Sequence, residues 1–273
     1  MQAVDVTRRG GPLILSMPHS GTHVPDELLR RLTPLGRRLP DTDWHIDRLY
    51  DFAGDLDATV VRANASRYVV DVNREPNDRS LYPGQATTGL CPTITFDGDP
   101  LYAGGDEPDA DEIAARRRDW YAPYHGALAA EIERVRALHD RVLLYDCHSI
   151  RSHVPRLFEG QLPVFNVGTN DGSSCDPALE AAVVDICATR DDFNHVVNGR
   201  FRGGWITRHY GRPVEHVHAL QMELAQRAYM QEQPPWEFDA PRAEALRPVL
   251  RAVLETMCAW VHDARAGADH DVG

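Results

Sequence analysis

Apolar residues fall along the chain in two alternating rhythms. Short continuous runs such as "GPLILSMPH" (Gly11–His19), "RVLLYDCH" (Arg141–His148), "LPVFNVGT" (Leu162–Thr169) and "VHALQMEL" (Val217–Leu224) read as buried strands. "ATVVRAN" (Ala58–Asn64), "RYVVDVN" (Arg67–Asn73) and "NHVVN" (Asn194–Asn198) add β-branched strands. Between them lie segments with apolar residues at three- and four-residue steps: "PDELLRRL" (Pro25–Leu32), "DTDWHIDRLYDFAGDL" (Asp41–Leu56) and "DPALEAAVVDICATR" (Asp176–Arg190). The longest are Asp109–Asp140, where Pro123 predicts a kink, and Pro241–Ala266. Asp41, Thr42 or Asp43 can cap the second of these helices.

Strands alternating with helices predict an α/β fold. We expect one domain over residues 1–273, with a mixed, mostly parallel twisted sheet and helices on both faces. A disordered tail is expected over about residues 266–273. Residues Arg74–Asp109 form a long stretch rich in Gly, Pro, Thr and Asp. Its scattered Leu, Ile, Phe and Tyr predict an ordered loop.

Composition narrows the function. The formal net charge is -12 with no basic stripe, which argues against nucleic acid. No apolar run is long enough to predict a membrane span. All 29 basic residues are Arg, which removes Schiff-base and P-loop lysine chemistry. Five cysteines without a C-x-x-C pair fit a reducing, cytoplasmic location.

Polar residues follow the apolar strands at four places: His19, Asn73-Arg74, His148 and Glu223. Ligands bind at the carboxyl ends of parallel strands, so these residues are expected to converge. Two histidines, a carboxylate and an arginine suggest a divalent metal site for an anionic substrate. Each alone is ordinary; the order and number of strand ends carry the expectation. Asp146 shares a strand face with His148 and is a candidate to orient it, whereas Cys147 should face the other way.

The segments "PHSGTHVP", "DTDWHIDRLYDFA", "SRYVVDVNREP", "LYPGQATTGLCPTITFDGDPLY", "DCHSIRS", "PRLFEG", "NGRFRGGWITRHYG" and "HALQMELAQRAYM" resemble the N-formylglutamate amidohydrolases of histidine degradation. The likeness spans roughly Gly11–Met230. More distantly, the order His19, Asn73-Arg74, His148, Glu223 is similar to zinc carboxypeptidases and aspartoacylases, which implies a zinc-exopeptidase-like (phosphorylase/hydrolase-like) sheet. Those families place a Glu three residues after the first histidine, where this chain has Thr22. The missing carboxylate is assigned to Asp47, with Asp43 next and His23 and Glu27 behind, on the expectation that Asp43 and Asp47 share a helical face.

The resemblance implies one divalent ion, zinc first, held by His19, Asp47 and His148. Glu223 would be the general base, and N-formyl-L-glutamate would give formate and L-glutamate. Arg74 is the first candidate for a carboxylate of this small dicarboxylate substrate and, with Glu223, for a catalytic part. Asn73, Arg67, Arg200, Arg202 and Arg208 are further binding candidates, and Asp146 and Asp43 outer supports. Another N-acyl amino acid deacylase, or a carboxypeptidase-like hydrolase, fits the same scaffold. A metal-free binder of acidic metabolites is the non-enzymatic alternative.

Overall fold

The computed structural model describes the backbone of residues 1–268 and the side chains of residues 1–261. Seven strands form one sheet: β1 (Val4–Thr7), β2 (Leu13–Met17), β3 (Thr59–Ala63), β4 (Val142–Ile150), β5 (Phe165–Gly168), β6 (His195–Val197) and β7 (Val217–Ala225). Their order is β1-β3-β2-β4-β7-β5-β6. The central four, β3, β2, β4 and β7, are mutually parallel. β1 and β5 pair antiparallel to their inner neighbours, and β6 follows β5. The mixed, mostly parallel α/β sheet expected from the pattern is therefore present.

Helices are α1 (Asp26–Arg31), α2 (Ile46–Leu49), α3 (Ala110–Arg116), α4 (Ala122–Arg136), α5 (Pro177–Cys187), α6 (Trp205–Tyr210) and α7 (Ala240–Ala268). One apolar cluster packs α2, α5 and α7 on Leu13, Leu15, Leu143, Tyr145, Leu220 and Met222. A second packs α4 and α6 on Ile14, Val61, Leu144 and Ala219. Both faces of the sheet are thus covered. That is why β4 and β7 are buried throughout instead of alternating with exposed positions. Of the expected tail, α7 runs into the stretch, and residues 269–273 lie outside those described. Among the described residues no helix is long and apolar enough to cross a membrane.

Three expectations change. Arg67–Asn73 is buried but is not a strand. The free edge of β3 is taken by β1, which the pattern did not predict, so the segment turns instead, with Tyr68 and Val69 in one apolar cluster and Val70 and Val72 in another. Its β-branched residues reflect packing between clusters, not pairing. Asp41–Leu56 yields only the short α2 and a 3-10 segment, because His45 takes a left-handed backbone (φ 64°) and stops any helix from running through it. Finally, the long helical segment widens into a π turn at Arg117–Tyr121. Pro123 follows two residues later and has no N–H to donate back into the preceding turn.

Candidate active site

The same face of β4 reads Leu144, Asp146, His148, and that of β7 reads Ala219, Gln221, Glu223. Each is apolar toward the α4 layer and polar at the carboxyl end. His148 and Glu223 sit opposite one another in the parallel register. β2 ends just before His19, and the segment after β3 brings in Arg67, Asp71, Asn73 and Arg74. A cleft at this edge is lined by all of these polar residues from His19 to Glu223 except Asp146, which lies behind them, together with Thr88, Arg200 and the apolar Ile150, Leu157 and Phe201.

Both histidines spend one ring nitrogen on a buried carboxylate. His19 Nε2 lies 2.7 Å from Asp71 Oδ1, and His148 Nε2 lies 3.0 Å from Asp146 Oδ2. Both turn Nδ1 towards Asp43, at 3.7 Å for His19 and 3.2 Å for His148. His19, Asp43 and His148 offer ligand atoms that all lie within 4.8 Å of one another. His19 Nδ1 and Asp43 Oδ1 are buried with no hydrogen-bond partner. Two unpartnered ligand atoms beside His148, with each histidine backed by a carboxylate, fit a divalent cation.

Electrostatics agree with that fit. Burial, then Arg67, lowers His19 and favours its neutral, ligating form. Although burial opposes it, Asp146 and then Asp43 hold His148 well above the usual range, so this imidazole favours a proton that a bound cation would displace. Burial opposes ionisation of Asp71 too, but His19, Arg67 and Arg74 together keep it well below the carboxylate range. Burial, and the charge of Asp43, push Glu223 up to about 8, against the opposing effect of His148. Cys147 packs on the opposite face among apolar side chains, and burial pushes its thiol well up, so it offers no nucleophile beside His148.

Asp47 does not reach the cluster. It is about half exposed and pairs with Arg62 at 2.8 Å, outside the cleft. The left-handed turn at His45 separates it from Asp43, so the two do not share a helical face. Asp43, expected as an outer support, instead stands between the histidines. Its Oδ2 also accepts the Ser149 amide at 3.2 Å.

The arginines divide. Arg67 lines the cleft, yet its guanidinium is committed to Asp71 at 2.8 Å and lies 3.7 Å from Asp43. Arg74 rests against Asp71 (3.4 Å) and donates to Thr88 (3.2 Å). Arg200 donates to the carbonyls of Leu157 and Ala86 and stacks near Tyr82 and Phe201. No carboxylate within salt-bridge distance pairs with it among the described residues, and burial lowers its pKa. Arg202 is exposed and paired with Asp171, and Arg208 donates to Gly203 beside the Tyr82 ring. Neither lines the cleft: Arg202 is held on Asp171 and Arg208 on the Gly203 carbonyl.

Asn73 lines the cleft and also braces its neighbours. Its Nδ2 lies 3.0 Å from His148 Nε2 and 3.4 Å from Asp146, while Oδ1 accepts the Ile206 amide. The free amides at the start of α6 thus fix its side chain. Asp71 and Gln221 were missed. Asp71 carries the same signal as Asp146, a carboxylate two residues before a site residue. Gln221 donates to Glu223 at 3.0 Å and accepts from the Gly204 amide.

A cleft at the carboxyl ends of the parallel strands of a doubly covered α/β sheet is where such folds bind their ligands, and the chain's relatives make it a hydrolase that acts on an amide bond. The family model for N-formylglutamate amidohydrolase matches residues 11–230, and the chain belongs to that family. An N-formylglutamate deformylase of Pseudomonas aeruginosa is 53% identical over 249 residues, 91% of this chain and 93% of the relative. One of Pseudomonas putida is 48% identical over the same shares. The crystal structure of N-formylglutamate amidohydrolase from Ralstonia eutropha JMP134 superposes with a TM-score of 0.81 at 23% identity. It covers 97% of this chain and 100% of its own, a likeness of fold.

Proposed function

We propose that the chain hydrolyses N-formyl-L-glutamate to formate and L-glutamate, as the last step of a cytoplasmic histidine degradation route. One divalent cation, zinc first, would be held by His19, Asp43 and His148. The observation that carries this reading is the paired arrangement of His19 on Asp71 and His148 on Asp146, both facing Asp43. When bound, the cation supplies Lewis acidity towards the formyl carbonyl and towards water.

The residues do the rest. Glu223, across from His148, takes the proton of the attacking water and hands it to the leaving amine nitrogen. A positive ion beside it would offset the burial that raises its pKa. Arg74 and Arg200 take the two carboxylates of the substrate, and among the described residues no carboxylate lies within salt-bridge distance of Arg200. Ile150, Leu157 and Phe201 line the cleft with apolar surface and exclude water.

Comparing kcat/KM on N-formyl-L-glutamate, N-acetyl-L-glutamate and N-acetyl-L-aspartate, with and without a chelator, tests the reading. Activity that is greatest on the formyl substrate and lost on chelation is expected. Preference for an acetyl substrate overturns the substrate, and chelator-insensitive turnover overturns the cation.

A further inference from the structure

Three consecutive carbonyls, those of Val72, Asn73 and Arg74, each meet a donor from elsewhere in the fold. His125 Nε2 lies 2.8 Å from Val72 O, the Trp205 amide donates to Asn73 O at 3.2 Å, and the Tyr121 hydroxyl donates to Arg74 O at 2.9 Å. Two of these donors are side chains four residues apart, with ring centroids 4.2 Å from each other. A carbonyl can only accept, so His125 carries its proton on Nε2, while Nδ1 lies 2.9 Å from the Tyr210 hydroxyl, which also donates to the His125 carbonyl at 3.2 Å. Burial pushes His125 down to about 4, which keeps this neutral form at neutral pH.

Neither Tyr121 nor His125 lines the catalytic cleft, whereas Asn73 and Arg74 both do. Tyr121 ends the π turn of Arg117–Tyr121, a deviation that recurs at functional sites. That turn leads directly into α4, which packs on the sheet and carries His125. We propose that Tyr121 and His125 are positioning residues, a two-point clamp on the backbone of Val72–Arg74 that aims the Arg74 guanidinium at the substrate carboxylate. The inference rests on the role given to Arg74 above.

Tyr121→Phe keeps the ring and removes only the hydroxyl. One lost hydrogen bond of ordinary strength predicts a KM for N-formyl-L-glutamate raised about fivefold. The same principle leaves kcat and the cation Kd within about twofold, because the lost bond is on Arg74 O, and Asn73 keeps its own bonds to the Trp205 and Ile206 amides. In an Arg74→Gln background, Tyr121→Phe should add no further rise in KM, the coupling expected of residues acting through one another. His125→Gln, which keeps a donor for Val72 O, should stay near wild type, and His125→Phe should match Tyr121→Phe. A wild-type KM in Tyr121→Phe beside a raised KM in Arg74→Gln overturns the clamp alone. A wild-type KM in both overturns the role of Arg74 and the clamp with it. A full additional effect in the Arg74→Gln background also overturns the clamp, since it would then act on something other than Arg74.

Discussion

Asp146 Oδ2 stands 3.0 Å from Nε2 of His148, two residues along the same face of β4. Its other oxygen accepts the Ser16 hydroxyl at 2.7 Å, and Ser16 in turn meets the Tyr124 hydroxyl at 2.8 Å. The chain of contacts runs from the α4 layer to the imidazole. It fixes which nitrogen of His148 is left for a cation. Asp146→Asn should therefore weaken cation affinity about 10–100-fold while the fold persists. Titration of the purified protein with zinc checks it, and an unchanged Kd would leave His148 without need of that support.

The carboxylate between the histidines is separable from its neighbour four residues on. Asp43→Asn should weaken the cation by at least about 100-fold, the upper end of what an outer partner contributes. Asp47→Asn should leave the Kd unchanged, since it removes only an exposed pair with Arg62. Metal content after dialysis, read for both variants together, decides between the two positions.

The difference between Asp43 and Asp47 also marks how far the sequence could be read. His19, His148 and Glu223 are legible because apolar strands of a parallel sheet lead to them and such ends converge, whereas Asn73-Arg74 reaches the same edge from a buried turn that only resembles a strand in the pattern. A regular helix through His45 would put Asp43 and Asp47 on one face and make either a candidate, so the pattern does not single out Asp43. A left-handed residue there leaves no mark in an amphipathic pattern. The Arg67–Asn73 segment was misread for a related reason, since β-branched burial looks alike whether a segment pairs or merely packs. Arg200, Arg202 and Arg208 are equivalent in sequence. Their partners in the fold separate them: Arg200 is held on the Leu157 and Ala86 carbonyls at the cleft, Arg202 on Asp171 and Arg208 on the Gly203 carbonyl.

That separation is measurable. Arg200→Gln should raise KM about tenfold or more, the worth of a charge-assisted contact to a carboxylate. Arg202→Gln should change KM by less than about twofold, because its exposed pair with Asp171 contributes little. Steady-state kinetics on both variants checks the pair, and equal effects would remove the distinction between them.

Gly204 has φ -81°, open to any residue, yet a Cβ there would lie 2.3 Å from Asn73 Nδ2. Its glycine is required by close approach and not by backbone conformation. Gly204→Ala should push the Asn73 amide off His148 and Asp146 and cost about 1–3 kcal/mol, the usual scale for overpacking. Thermal unfolding reads the stability loss. The same variant should bind the cation more weakly, which a purely local clash would not produce.

Glu223→Gln is the sharpest test of the proton-transfer step. The substitution preserves shape on a strand that is buried along its whole length, so β7 and the adjoining His148 should stay in place. Glu223 is not among the grouped cation donors, so zinc should bind with unchanged stoichiometry. What is lost is a group that can accept a proton from water and return it to the amine. The scale of general base catalysis predicts a kcat lower by about 10²–10⁴-fold with KM little changed. Gln221 already donates to this carboxylate at 3.0 Å, and a glutamine at 223 can still accept that bond through its carbonyl oxygen. A large fall in kcat therefore reports the missing base and not a broken network. A variant that kept its turnover would move the base elsewhere in the cleft.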